Sequence, residues 1–379
     1  MMNRFASCIV LFLFPTICIA ADAMEQTLQN AGTNRAELER AWKDCPEAMR
    51  PGMKFLLMHM PERDAKQLKA AYLLENVQLA YQARKELPWG KSIPEELFFN
   101  DVLAYANVDE TRDAWRKEFY ELCLPMVKDC KTASEAVQKL NMELYKKLKV
   151  VYSTQRNKPN QSAKESIGQG KASCTGLSII LSNACRSVCI PARLVGTPNW
   201  VNKSGNHTWV EIWDGKWHFT GACEADPKGL DRGWFTDRAA HAKADDPEHA
   251  IYAASFAKTK THFPLVWAPK ETIVSGVNVT DHYAKEKKPT PFAQVRVRVI
   301  GAKSGERIAL PIEVLKKGST ASPILATSRG PTADLNDVLT LHLTDAETDF
   351  IIKCAGQTLE LRSPKFGAES EIVIKIPGK

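Results

Sequence analysis

The stretch from Gly170 to Gly196, GKASCTGLSIILSNACRSVCIPARLVG, limits what this chain can become more than any other part of it. Leu177, Ile180, Leu181 and Ala184 recur at i, i+3, i+4 and i+7, which predicts a helix over Thr175 to Ala184. A cysteine, Cys174, stands at its start, after a loop of small residues. Unpaired N–H groups and the helix dipole favour thiolate at such a position. After the helix comes the strand-like IPARLVG, and 33 residues beyond Cys174, His207 opens HTWVEIW. A histidine within reach would take the thiol proton and return it to a leaving group. The plainer alternative is a buried structural cysteine and a core histidine.

Three pieces in order carry a resemblance: Ala172 to Ser178, Ile190 to Gly196, and the His-x-Trp strand of His207 and Trp209. A tight turn and Trp217-His218-Phe219 follow. Together they resemble the transglutaminase-like superfamily from about Lys171 to Trp234, and more weakly to Trp267. The resemblance implies a papain-like α+β core in which a cysteine, a histidine and an acid follow one another along the chain. It also implies acyl-transfer chemistry, in bacterial members more often of protease or amidase than of cross-linking type.

The third residue departs from the resembled pattern. Where the family carries Asp, this chain has Gly221, in WHFTGACEADP. Glu224 and Asp226 are the nearby acids. A two-residue turn at Asp214-Gly215 would set His207 against Ala222 and bring both acids to the histidine's side of the sheet. A three-residue turn would set Cys223 there instead. Glu224, the nearer acid, is the favoured partner for His207. Asp226, a backbone carbonyl or a more distant polar group remain alternatives.

Around this core the 379 residues divide into four further parts. Residues 1–20 read as a secretory signal: Arg4, an apolar run from Ile9 to Ile19, then small residues, with cleavage after Ala20 or Ala23. Residues 21–133 form a helical domain, broken at Pro61, Pro88 and Pro94, whose Glu86 to Phe99 loop is placed to roof the site. The catalytic core, 134–283, opens with a helix from Ser134 to Val151. Its polar Ser153 to Gly170 segment offers Gln169 as an oxyanion donor beside the helix-start N–H groups. A second helix is expected over Pro247 to Ala257, and Trp209 is expected to wall the cleft. Residues 284–291 (AKEKKPTP) read as a linker. From 292 to 379 the pattern turns to strands: Gln294–Ile300, Ile308–Leu315, Val338–Leu343, Asp349–Cys354, Thr358–Leu361 and Glu371–Ile376, a β-sandwich. The fold class is therefore α+β, with a helical domain before the core and an all-β sandwich after it.

A formal charge of +7 is dispersed, with no basic tract, so nucleic acid is not an expected partner. No segment after the signal approaches the ~18 apolar residues of a membrane span. Eight cysteines remain in the mature chain, and Cys123 with Cys130, or Cys45 with either, are possible bridges in an oxidising compartment. Cys185, Cys189 and Cys223 lack C-x-x-C spacing, so no metal or other cofactor is expected. The sequence thus points to a secreted or periplasmic enzyme. It would use Cys174, His207 and Glu224 to hydrolyse a peptide or amide bond in a protein or peptide substrate, with envelope-associated chains among the candidates. Amine transfer to protein glutamine, and a non-catalytic scaffold on the same fold, are the alternatives.

Overall fold

Residues 175–187 are all buried, because this helix is apolar nearly all round and its polar side chains are mostly small. Such a helix must be surrounded, and the rest of the chain builds that shell. The computed structural model describes residues 16–284 and 292–378. The expected linker, apart from Ala284, and the first fifteen residues of the expected signal lie outside it. The longer helices are α1 (Thr16–Asn30), α2 (Arg35–Asp44), α3 (Arg50–His59), α4 (Ala70–Glu86), α5 (Arg116–Val127), α6 (Ala133–Leu148), α7 (Ala163–Gln169) and α8 (Cys174–Ser187). No helix among the described residues is long and apolar enough to cross a membrane.

The strands that follow α8 form one sheet: β1 (Ala192–Thr197), β2 (His207–Trp213), β3 (Trp217–Thr220), β4 (Tyr252–Ser255), β5 (Thr261–His262) and β6 (Ser275–Asn278), in the order β3-β2-β1-β4-β6-β5. Leu177, Ile180 and Leu181 of α8 share one apolar cluster with Leu38, Leu56, Leu73 and Leu140 of the preceding helices and Ile212 of β2. The helical part is thereby packed directly on α8. Its Glu86 to Phe99 loop meets α8 at the wrong end to roof Cys174: Trp89 Nε1 donates to the Val188 carbonyl (3.0 Å). The helix expected over Pro247 to Ala257 is instead β4. Ile251 to Ala254 is buried on both faces, and a short continuous apolar run suits a central strand as well as a helix.

The C-terminal strands are β7 (Ala293–Gly301), β8 (Pro311–Lys316), β9 (Ile324–Thr327), β10 (Leu339–Leu343), β11 (Asp349–Cys354), β12 (Gln357–Arg362) and β13 (Glu369–Ile376). They form sheets of order β9-β8-β11-β12 and β10-β7-β13, with Val295, Val297, Ile312, Phe350 and Ile374 in a shared core. The alternation in β7 sends its valines inward and leaves Arg298 to pair with Glu371 (2.9 Å). Strand β9 has no counterpart among the expected strands, because Ile324 and Leu325 are exposed edge residues with no alternation.

All eight described cysteines after α1 are free thiols. Cys123 lies inside α5 and Cys130 in the turn beyond its end, and the two are not bridged.

Asp101 lies on a π-helical turn, Phe98–Leu103, 1% exposed, and accepts a hydrogen bond from Asn100 Nδ2 (3.0 Å). Burial pushes its carboxyl up to about 6. The folded state therefore holds a proton that the unfolded chain releases near pH 4, so stability falls as pH rises through that window. Asp101→Asn should raise the melting temperature at about pH 7–8, with the gain vanishing near pH 4. Thermal unfolding across that range checks it.

Candidate active site

Ser173 caps α8 in extended geometry, its Oγ accepting from Gly176 N (3.0 Å), and this makes Cys174 the first helical residue. A side chain at position 176 would meet Ala172 Cβ at 3.1 Å and Ser166 Oγ at 3.2 Å, so glycine lets the preceding segment lie against the first turn. Thr175 Oγ1 bonds Thr208 Oγ1 (3.0 Å) and Ser178 Oγ donates to the Thr208 carbonyl (3.3 Å). These bonds fasten the cysteine's turn to β2 one residue past His207. Backbone N–H groups of Thr208 and Thr175 face the sulfur.

His207 is 1% exposed and enclosed by aromatic rings: Trp234 at 4.6 Å, Phe235 at 5.0 Å and Trp209 stacked at 5.8 Å. Trp209 is fully buried, its Nε1 donating to Tyr283 Oη (2.9 Å). It is a floor beneath the imidazole, not a wall of the cleft, because side chains two apart on a strand share a face that here turns inward. Neither ring nitrogen of His207 has a hydrogen-bond partner. Two acids approach opposite nitrogens: Glu224 Oε2 lies 3.9 Å from Nε2, and Asp334 Oδ2 lies 3.6 Å from Nδ1.

Glu224 arrives by a different route from the strand alternation. The hairpin pairs Val210 with Thr220 and Trp213 with Trp217, the three-residue register. A two-residue type I′ turn needs positive φ at both central residues, and only Gly215 (φ 76°) has it. Asp214 instead accepts from Ser134 N (3.0 Å) and Oγ (2.6 Å). Beyond β3 the chain turns sharply, with Cys223 in the left-handed region (φ 66°) and Glu224 N donating to the Gly221 carbonyl (3.2 Å). Asn141 of α6 clamps this turn, giving Nδ2 to the Gly221 carbonyl (2.8 Å) and taking Cys223 N (2.9 Å). A Cβ at Gly221 would fall 2.5 Å from Glu224 Oε2. The Glu224 carboxyl thus fills the space that a side chain at 221 would take, and Trp234 Nε1 holds it there (2.9 Å). Asp226 points away to Arg232 (3.4 Å).

Asp334 comes from the loop before β10 and is 1% exposed. Its Oδ1 accepts from Asn336 N (2.8 Å), and Asn336 Nδ2 donates to the Asn206 carbonyl (2.8 Å), beside His207. Arg307 braces the loop through the carbonyls of Ala333 and Asp337. Asp334 to Asn336 close one side of a cleft of about 200 Å³, lined also by Tyr152, Cys174 and Trp267. Cys174 Sγ, a His207 ring nitrogen and an Asp334 oxygen all lie within 4.8 Å of one another. Burial, and then the Asp334 carboxylate, push the Cys174 thiol up to about 12, against the lowering expected at a helix start. Burial and Asp334 likewise hold the Glu224 carboxyl well above the ordinary carboxylate range.

Gln169 is not in the cleft. Its amide donates to Asn157 Oδ1 (3.0 Å) and accepts from Asn157 N (3.1 Å). Asp334, Trp234 and Asn141 escaped sequence reasoning. Trp234 alone carried a signal, as an aromatic residue at the end of the resembled stretch, while Asp334 is reached only through the tertiary fold.

A search of curated proteins finds no match. Among solved structures, the chain is similar to a candidate cysteine protease from Cytophaga hutchinsonii, at 20% identity over 43% of this chain and 58% of that one, with a TM-score of 0.26. It is also similar to red sea bream transglutaminase, at 10% identity over 73% of this chain and 66% of that one, with a TM-score of 0.31. The chain thus spans less than two thirds of either. Residues 120–235, which hold Cys174, His207 and Glu224 but not Asp334, match the model of the transglutaminase-like superfamily, and this part of the chain is a transglutaminase-like domain.

Proposed function

We propose that the protein is an exported cysteine-dependent acyl-transfer enzyme that hydrolyses a peptide or amide bond in a protein or peptide. The observation that carries this reading is the convergence of a helix-start cysteine, a buried histidine free at both nitrogens, and a glutamate filling the space above Gly221. Export rests on the N-terminal apolar run.

His207 takes the thiol proton of Cys174, and the sulfur attacks the amide carbonyl. The N–H groups of Cys174 and Thr175, in the first turn where no helix carbonyl reaches them, are the donors for the oxyanion. Collapse of the tetrahedral species breaks the C–N bond, and His207 returns its proton to the departing amine. Water then attacks the thioester, giving a carboxylic acid and the free thiol. Water is the acceptor because the site is open to it through the cleft, while amine transfer needs a site that excludes it.

Glu224 faces Nε2 and orients the ring, and the imidazolium, as it forms, favours the carboxylate that burial and Asp334 otherwise disfavour. Asp334 is the wrong acid for that role, since a carboxylate beside the sulfur opposes the thiolate. Glu224→Gln should lower kcat about 100-fold with KM little changed, whereas Asp334→Asn should raise kcat several-fold. Both are read as new carboxyl groups appearing in peptides of an envelope extract. If Asp334→Asn proves the more damaging change, Asp334 is the orienting acid and Glu224 is not.

A further inference from the structure

We propose that Cys174, His207 and Asp334 form a site for a divalent transition-metal ion of the zinc type, completed only when the C-terminal sandwich lies on the core. The three side chains offer a thiolate sulfur, an imidazole nitrogen and a carboxylate oxygen, the ligand types zinc takes. Their ligand atoms are within 4.8 Å of one another.

Three observations point to an ion here. The first is spacing. His207 Nδ1 and Asp334 Oδ2 are 3.6 Å apart, beyond a good hydrogen bond. Two ligands on one tetrahedral zinc, with bonds of about 2.0–2.1 Å, stand roughly 3.4 Å apart. The second is satisfaction. Asp334 Oδ2 and both His207 nitrogens are buried without partners, while Asp334 Oδ1 is already taken by Asn336 N. Buried polar atoms left unpaired are costly, and a shared cation would satisfy two of these three at once. The third is charge. The Asp334 carboxylate is enclosed with no lysine or arginine hydrogen-bonded or ion-paired to it among the described residues, and metal binding replaces the Cys174 thiol proton to leave a thiolate beside it. A divalent ion cancels both charges.

On binding, Cys174–SH and M²⁺ give the metal thiolate and one proton, which leaves to solvent. The cleft leaves room for water as a fourth ligand. The ion ties the Asp334 loop to the core and occupies the sulfur that acyl transfer needs. Sequence spacing could not show this site, because its ligands are separated by 33 and 127 positions.

The test is titration of the full chain with Co²⁺, read as a thiolate-to-cobalt charge-transfer band, and with Zn²⁺ against a chromophoric chelator, both without substrate. One ion per chain is expected. Cys174→Ser should remove the band. Asp334→Ala should weaken zinc at least about tenfold, since even outer partners of a metal ligand are worth 10- to 100-fold. Asp334→Asn, which preserves the side chain's shape, guards against a folding defect. No band at saturating cobalt overturns the site, and an undiminished zinc affinity in both Asp334 variants overturns the sandwich's part in it. The proposed acyl chemistry is unaffected by either failure, because it is assayed separately under a chelator.

Discussion

Cys174→Ala should leave turnover at least about 10⁴-fold below the wild-type rate while the protein melts at nearly the same temperature. The change removes one sulfur from the first turn of a helix that is capped by Ser173 and held to β2 by Thr175 and Ser178. None of those bonds uses the sulfur, so the fold has no reason to fail. His207→Ala should cost as much, since the two act as one unit and their losses do not add. Its melting temperature should drop, however, because the imidazole fills a cage of Trp209, Trp234 and Phe235. Activity surviving in Cys174→Ala would mean the pair is packing and not chemistry.

The largest loss of stability is expected at Arg116. Its side chain is buried and makes five hydrogen bonds: to Asn76 Oδ1 (2.7 Å), and to the carbonyls of Arg186 (3.0 Å), Val102 (2.7 Å), Leu103 (3.2 Å) and Ala104 (3.2 Å). Arg186 works from the other side, giving Nη1 to the Ala106 carbonyl (2.7 Å). The two arginines thus tie the 102–106 segment to the last turn of α8. Arg116→Ala leaves buried carbonyls without donors and opens a void, so stability should fall by about 3–5 kcal/mol. Arg116→Lys should recover part of this, having fewer donors and no planar fork. Urea unfolding midpoints measure both, and a loss below about 1 kcal/mol would contradict the picture.

The α8 helix and the two strands after it were legible because each has a strong local period and a clear start: Ser173 as cap, Gly215 in the turn. The sandwich strands were legible for the same reason. What failed was whatever depends on a choice between near-equal local options. Asp214 sits in a turn that could take two or three residues, and its bond to Ser134, eighty positions earlier, goes with the longer one. Ile251 to Ala254 suits a helix or a buried strand, and neighbours β1 and β6 decide. The strand alternation that favours Glu224 does not reach it, because β3 ends at Thr220. The place of Glu224 depends on a left-handed Cys223 and on the Asn141 clamp from α6. Asp334 belongs to a loop of the sandwich and meets His207 only because Asn336 docks on Asn206.

The proposed acyl transfer passes through a thioester on Cys174. The direct measurement is mass spectrometry of the mature protein after brief reaction with envelope peptides under a chelator, with and without a labelled primary amine. An acyl adduct on the Cys174 peptide, labile to hydroxylamine, is expected, together with new carboxyl groups in the peptides and little amine incorporated. The adduct should be absent from Cys174→Ala. A Cys174 peptide that never gains mass, in a protein that retains a specific binding partner equally well as Cys174→Ala, would contradict acyl transfer and leave a binding scaffold.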